Sequence, residues 1–484
     1  MHHVQAAHNA LDVATGLGAS YADVRLIEQK RQIIQTKDLA LAGLNLSETL
    51  GLGIRVLYQG GWGFASTQSL TTSGITRAAK TAVAVAKASA ACVNPPISLA
   101  FEPSHRATWQ SPYLIDPFTI SVEDKVSLLL DCAKIMHAVK GISLAQGGMT
   151  FTKEDKLFVS SEGSQIKQTF IRSSCGIEAN AFSADDRQRR SWPNSFGGQS
   201  ENAGWEMIAK WRLPENAHRI AEEAVALLKA PMCPEGTADV IIGASQLALQ
   251  IHESCGHPSE LDRALGHEAN FAGRSFLTKD MLGRLRYGSK IVNLVADATA
   301  HAALGGFAYD DEGVEAQRVP LVNNGVFVGY LSSRDTAHFI GLDRSGGMTR
   351  AESYNFQPII RMTNISLTPG TAGSLSDLIA ATDDGILMET NKSWSIDDKR
   401  YNFQFGMEAG YKIERGKIVG LLKNPSYGGI TTEFWNSCDA ICDQSEYVDW
   451  GVPNCGKGQP VQIMWTGHGA APARFRKIEI GMAR

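Results

Sequence analysis

The sequence lacks the features that mark a membrane, secreted or nucleic-acid-binding protein. No uninterrupted apolar run approaches the roughly 18–20 residues that span a bilayer, which argues against a transmembrane helix. The opening stretch MHHVQAAHNALDVATGLG has no basic flank followed by an apolar segment. No secretory signal is therefore expected, and the cytoplasm is the default location. A net charge of −4 over 484 residues leaves no strong field of one sign. That removes nucleic acid and anionic membrane surfaces from the expected partners. Proline is scarce, 17 residues against 47 glycines, a balance that fits tight turns and a β-rich component rather than disorder. The eight cysteines (Cys92, Cys132, Cys175, Cys233, Cys255, Cys438, Cys442 and Cys455) show no disulfide-framework spacing. They read as reduced thiols, with one available to a metal. Repeats of 20–50 residues and low-complexity segments are also missing.

What is present describes a soluble globular chain, 43% hydrophobic and 20% charged, long enough for two domains. The boundary is placed near residue 231, giving an N-terminal α+β domain (1–231) and a C-terminal β-rich domain (232–484). Residues 4–17 predict a helix. Strand-like stretches follow at 22–30, 32–37, 39–46, 52–59 and 62–67, the fourth with alternating Ile54, Val56 and Tyr58. Residues 75–91 are rich in alanine and free of glycine and proline, a helix pattern. Five prolines between 92 and 118 predict an extended connection. Ser121 and Asp124 resemble a capping box opening a helix to about 139, and a further helix is expected at 217–229. Strands are expected between 145 and 187, with a turn at Glu162-Gly163, and antiparallel pairing follows from the tight turns. Beyond 231, strands are expected at 238–242, 292–295, 307–309, 314–321, 326–331, 359–367, 386–389, 402–413 and 417–422. Asn324-Gly325 is a hairpin signal between two of them. A helix capped by Ser245 carries the motif that bears the chemistry.

That motif is His252-Glu253-Ser254-Cys255-Gly256-His257. It differs from the zinc-protease signature H-E-x-x-H by one extra residue between the histidines. At about 100° per residue, positions 252 and 257 lie about 140° apart around a regular helix, too far to share a face. A π-bulge, which inserts one residue into a turn, restores the shared face. Gly256 and Pro258 weaken the regular helix where that distortion is needed. The spacing therefore predicts a bulged or broken last turn. Glu253, next to the first histidine, is placed to act as a general base on a water, the chemistry of amide hydrolysis.

Catalytic zinc usually takes three protein ligands, so a third must come from elsewhere. Cys255 points away from His257. Cys438 and Cys442 are spaced i, i+4 in an expected helix over 433–443. Cys455 lies in the Gly/Pro-rich segment Val452-Pro453-Asn454-Cys455-Gly456-Lys457-Gly458. The residues alone leave these open. Asp310-Asp311-Glu312 lacks the alternating oxygen ligands of a calcium loop and reads as a solvated or turn-stabilising cluster. His468 reads as either a substrate-side donor or a loop histidine.

At this point the chain resembles the TldD/PmbA family, specifically its TldD-type, metal-bearing members. The resemblance is spread along the chain. It includes Tyr21-Ala22-Asp23-Val24-Arg25, Gly51-Leu52-Gly53-Ile54-Arg55, Gly61-Trp62-Gly63-Phe64, HESCGH with Glu260-Leu261-Asp262, and Tyr309-Asp310-Asp311-Glu312-Gly313. Asn324-Gly325, Gly329-Tyr330-Leu331, Arg361-Met362-Thr363-Asn364 and Asn424-Pro425-Ser426-Tyr427 complete the order. The resemblance implies a zinc peptidase acting on short or unfolded peptides. His252, His257 and Cys455 would hold Zn2+, with Glu253 as general base. It also implies a homodimer, or a heterodimer with a metal-free PmbA-type (TldE) subunit. One departure is Pro258-Ser259-Glu260-Leu261-Asp262, where many members carry Gly-Leu-Glu-Gly-Asp. The acidic positions remain, which suits a role in orienting the histidines. Two rival readings are a non-catalytic metal-binding scaffold subunit and a metal-dependent amidohydrolase of small molecules.

Overall fold

The N-terminal part is built on long strands whose two faces carry different chemistry. In the computed structural model, which describes residues 2–481, these strands are Tyr21–Lys37 (β1), Ala40–Tyr58 (β2), Gly61–Thr67 (β3), Arg106–Gln110 (β4), Ile142–Ser160 (β5), Gln165–Phe182 (β6), Arg187–Trp192 (β7) and Gln199–Glu201 (β8). They form one sheet in the order β3-β2-β1-β5-β6-β4, with β7 and β8 also pairing with β6. All pairings except β4–β6 are antiparallel. The short strands expected at 22–37 are one continuous strand, because β1 is hydrogen-bonded along its length to β2 on one side and β5 on the other.

One face of this sheet is apolar. Ala22, Val24, Leu26, Leu52, Ile54 and Val56 pack under helices His2–Gly16 and Thr72–Ala90. Met149, Phe151, Cys175 and Ile177 pack under helices Val122–His137 and Leu213–Lys229. Ser121 caps the third of these helices by accepting the Asp124 amide. The other face carries Asp23, Arg25, Arg31, Arg55, Thr152, Glu154, Lys156 and Arg172, and the C-terminal part lies against it. Arg55 bridges Asp23 (2.6 Å) on its own sheet and Glu312 (3.1 Å) across the seam. Lys156 meets Asp311 at 2.7 Å, and Arg334 meets Glu162 at 2.8 Å.

In the C-terminal part, seven strands form a mixed sheet in which Asp384–Ile396, Gly236–Ile242, Ala473–Ile480, Ser426–Ile430, Asn402–Glu414 and Lys417–Lys423 are successive neighbours. Asp384–Ile396 also pairs with Asn402–Glu414, which closes five of these strands into a ring. Helix Ala244–Ile251 packs on the ring with Leu247 and Ile251 in the core. Gln246 donates to the Tyr427 hydroxyl, and that hydroxyl donates to Gln250, which fixes the helix about its axis. A four-stranded antiparallel sheet (Val326–Phe327, Arg318–Asn323, Leu294–Asp297 and Ile365–Leu367), a short ladder of Thr349–Arg350 with Ile359–Ile360, and the hairpin Val448–Lys457 with Gln462–Ala470 make up the rest of the sheet structure. The architecture is α+β, antiparallel and helical before residue 231 and β-rich after it. Among the described residues no helix is long and apolar enough to cross a membrane.

Several local expectations are corrected. The proline-rich stretch contains β4, which takes the free edge of β6 in parallel. Ser245 does not cap its helix; Gly243 occupies that position. Residues 307–316 are loop closed by one bridge, Tyr309 to Glu315, and the expected strand at 359–367 is interrupted between Ile360 and Ile365. The helix expected over 433–443 ends at Asn436, because Cys438–Ile441 pairs as a strand with Ala473–Ile480. Cys438 and Cys442 therefore do not share a helix face. The Asn324-Gly325 turn is present, with positive φ at both residues (47° and 76°).

Candidate metal centre

Helix Ala244–Ile251 continues without a break into a π-helical turn, His252–Gly256. The His257 amide reaches back five residues to the His252 carbonyl at 3.1 Å, the bond that defines a π-turn. Gly256 makes this possible by close approach: a Cβ there would meet the Met362 sulfur at 2.0 Å. Tyr287 donates to the Ser254 carbonyl and Trp435 to the Ser254 hydroxyl, so the distorted turn is held from outside. The consequence is that the two imidazoles stand face to edge, with centroids 4.7 Å apart.

Cys455 arrives from the hairpin, 198 residues away. It does not sit in a free loop; it lies in strand Val448–Lys457, just after a register shift between Val452 and Cys455. Arg361, fully buried, donates to the Cys455 carbonyl and so pins that strand from behind. The ligand atoms of His252, His257 and Cys455 lie within 4.8 Å of one another, and all three residues are buried. Cys455 Sγ is 3.6 Å from His257 Nε2. Two ligands at zinc distances from a tetrahedral centre, about 2.0–2.1 Å for nitrogen and 2.3 Å for sulfur, stand about 3.5–3.6 Å apart. Two imidazoles and one thiolate are a donor set that zinc takes readily, and three protein ligands leave a fourth position for water or substrate.

Proton positions on both rings follow from their outer partners. His468 Nδ1 lies 3.1 Å from the Ile365 carbonyl, which only accepts, so His468 carries its proton there. Its Nε2 then accepts from His252 Nδ1 at 2.7 Å, leaving the His252 Nε2 lone pair for the metal position. On the other side, Glu260 accepts from His257 Nδ1 at 3.0 Å and from Arg263 Nε at 2.7 Å. Burial, working against the Glu253 charge, lowers His252 to about 4; burial also lowers His257 to about 4, against the pull of Cys455. Burial alone would raise the Cys455 thiol, but Arg361 and His257 outweigh it and hold the thiol below its ordinary value. Neutral imidazoles beside an easily ionised thiol are the protonation states that metal binding requires.

Glu253 is buried and turned toward a cavity of about 270 Å³ that His252, His257, Cys455, Trp394 and Arg400 also line. Arg400, at the tip of the turn between Asp384–Ile396 and Asn402–Glu414, donates to the Glu253 carboxylate through Nη1. Behind the site, Lys457 is fully buried and donates to both Asp262 oxygens at 2.8 Å. It also lies 3.4 Å from Glu260.

The structure thus brings together the three residues expected to bind metal and the expected base. Cys255 is buried in the apolar core and is not part of that group of ligand atoms. His468 is neither a substrate donor nor a loop histidine: it is buried behind His252, in strand Gln462–Ala470. Asp310, Asp311 and Glu312 are buried rather than solvated. They stabilise their turn, where Asp310 accepts the amides of Glu312, Val314 and Thr349, and clamp the two parts of the chain. Arg361 stood in a motif of the resemblance and Lys457 in the Cys455 segment, but nothing local in the sequence marked the contacts that these residues or Arg400 make.

Comparison with known proteins gives a consistent result. Family models described as PmbA/TldA metallopeptidase domain 1, central domain and C-terminal domain match residues 22–86, 115–230 and 235–481. A metalloprotease of Methanocaldococcus jannaschii is 31% identical over 446 residues, covering 92% of this chain and 94% of that one. A zinc metalloprotease TldD homolog of Saccharolobus solfataricus is 25% identical, covering 97% and 98%. Among solved structures, a putative modulator of a DNA gyrase from Thermotoga maritima superposes with a TM-score of 0.77 at 16% identity, covering 99% and 100%. TldE from Thermococcus kodakarensis gives 0.73 at 16%, covering 98% and 100%.

Proposed function

The chain belongs to the PmbA/TldA (TldD/PmbA) metallopeptidase family, and from that premise we propose that it is a zinc-dependent peptidase of short or unfolded peptides. The observation that carries this reading is the convergence of His252, His257 and Cys455 beside Glu253 on one cavity wall. His252, His257 and Cys455 would hold zinc, which when bound would supply Lewis acidity toward the scissile carbonyl and toward the attacking water. Glu253 removes the proton from the attacking water and delivers it to the departing amine. Arg400 orients the Glu253 carboxylate between turnovers through its Nη1 hydrogen bond. His468 and Glu260 hold the two imidazole protons on the outer nitrogens, so neither ring can turn its N–H toward the metal position. The narrow cavity, walled by both parts of the chain, admits an extended peptide and excludes a folded domain.

Supporting the finer points, the relatives named metalloprotease and zinc metalloprotease align along nearly the whole chain. The reading includes a cytoplasmic location and pairing either with a second copy or with a TldE-type subunit, in line with the TldE structural neighbour. It also divides the chain into an N-terminal unit, 1–231, and a catalytic unit, 232–484, a division that agrees with the sheets' membership.

Metal content and turnover test it together. The purified protein is expected to hold one zinc per chain, lost in Cys455→Ala and kept in Cys438→Ala. Glu253→Gln is expected to keep zinc and lose hydrolysis of a peptide library. Zinc absent from the parent protein would overturn the assignment, and activity retained in Glu253→Gln would overturn the mechanism. Turnover confined to small non-peptide amides would favour the amidohydrolase alternative.

A further inference from the structure

Beyond Phe196, Pro453 and Asn454, which also line the metal cavity, lies a second cavity of about 400 Å³. Its floor is the polar face of the first sheet. Arg31 of β1 stands directly opposite Thr152 of β5, and Thr152 stands directly opposite Arg172 of β6. Strands lie about 4.8 Å apart, so two guanidinium-bearing positions are separated by about 10 Å with only a threonine between them.

Arg172 is held in one orientation and is short of partners. Its guanidinium carbon lies 4.3 Å from the Phe170 ring and 4.0 Å from the Trp465 ring. The residue is 6% exposed, and its Nε and Nη1 are buried with no hydrogen-bond partner. Its nearest carboxylate is Glu154, 3.6 Å from Nη2 and shared with Gln29. Arg31 Nε is likewise buried and unpartnered. Two further buried arginines adjoin this region and bond only to main-chain carbonyls: Arg350 to Met362 and Trp465, Arg361 to Gln462 and Cys455. Glu352 is the sole acidic residue among those lining the cavity, and its Oε2 already accepts the Ile463 amide. Buried guanidinium donors without hydrogen-bond partners are costly, and a planar guanidinium with two free donor nitrogens matches a carboxylate in shape and charge.

We propose that this cavity is a carboxylate-binding subsite for the peptide substrate, with Arg31 and Arg172 as its specificity-determining residues. The inference rests on the peptidase reading, because the cavity adjoins the metal centre through Phe196, Pro453 and Asn454. A peptide whose scissile bond sits beside Glu253 places a nearby carboxylate, either its C-terminus or an Asp or Glu side chain, between the two arginines.

The test measures binding rather than turnover, so it stands apart from the peptidase reading. Three hexapeptides, labelled with a fluorophore at the N-terminus, are titrated with Glu253→Gln protein and followed by anisotropy. One is alanine-rich with a free C-terminus, the second is its C-terminal amide, and the third is the amide with glutamate in the last position. The free acid is expected to bind at least tenfold more tightly than the plain amide, with the advantage shrinking in high salt. The glutamate amide reports the source: affinity equal to the free acid assigns side-chain carboxylates as well, and affinity equal to the plain amide assigns the terminus alone. Arg172→Gln and Arg31→Gln are each expected to remove most of the advantage while leaving the plain amide unaffected, and Glu352→Gln to widen it. Arg31 is the less buried of the two, so its variant carries the test if Arg172→Gln fails to fold. Equal affinity for acid and amide, no binding of the free acid, or an advantage that survives in the folded arginine variants would overturn the proposal. Absence of hydrolysis by the parent protein, with discrimination intact, would instead count against the peptidase reading alone.

Discussion

Replacing His468 by alanine tests the chain of proton positions that prepares His252 for a metal. In the parent, the Ile365 carbonyl fixes the proton on His468 Nδ1 (3.1 Å), and His468 Nε2 fixes the proton on His252 Nδ1 (2.7 Å). His468 is fully buried, so water does not replace it readily in His468→Ala. A buried donor left unpaired costs about 1–3 kcal/mol, which is roughly 5- to 150-fold in an equilibrium constant. His252 escapes part of that penalty by moving its proton to Nε2, the nitrogen that must be bare for the metal. The cost therefore falls on metal binding, where loss of such outer partners typically weakens affinity about 10- to 100-fold. Competition with a chromophoric chelator measures this directly. His468→Gln discriminates further, because its side-chain oxygen accepts from His252 while its amide donates to Ile365; affinity within about fivefold of the parent is expected there. Circular dichroism and thermal melting establish that each variant is folded. Parent-like zinc affinity in His468→Ala would refute the argument, as would equal losses in the alanine and glutamine variants.

Gly256→Ala is expected to destabilise the fold by about 1–3 kcal/mol, since its Cβ would meet the fully buried Met362 sulfur at 2.0 Å. Urea titration checks it, and the double change with Met362→Ala should cost less than the sum of the two singles. Arg55→Met leaves Asp23 and Glu312 buried without their counter-charge and is expected to cost about 3–5 kcal/mol, read by the same titration. Zinc removal by a chelator is expected to lower the melting temperature reversibly, because free zinc at about a thousand times its Kd stabilises the folded state by about 4 kcal/mol. A melting temperature indifferent to zinc in the parent would contradict the metal site.

The motif itself was legible without a structure because its oddity is geometric. An i, i+5 pair cannot share a face of a regular helix, so either the histidines are unrelated or the helix is bulged, and Gly256 beside Pro258 favoured the bulge. Cys455 was reachable only through family resemblance: 198 residues separate it from His257, and the physics of a Gly/Pro-rich segment does not say where the segment folds. Cys438 and Cys442 show the opposite failure. Their i, i+4 spacing suits a helix, but a short polar-flanked run can serve either element, and the free edge of Ala473–Ile480 claimed it as a strand. Long-range pairing decided the matter, as it did for β4 in the proline-rich stretch.

The roles of His468, Arg361, Arg400 and Lys457 were not legible for a related reason. Each acts on a residue far along the chain, and each is useful only because of where a different element delivers its partner. Their arrangement supports the candidate metal centre from several sides although its residues come from a distorted turn and a hairpin. The turn is held by Tyr287, Trp435 and Met362; the hairpin is held by Arg361 at Cys455 and by Lys457 at Asp262. Lys457 and Glu260 then tie the two supports together, since Glu260 bonds His257 while Lys457 follows Cys455 by two residues. A shift of the hairpin must therefore break a fully buried ion pair before it can separate Cys455 from the histidines. Breaking such a pair costs about 3–5 kcal/mol, so the hairpin resists any movement that would draw Cys455 away from the two histidines.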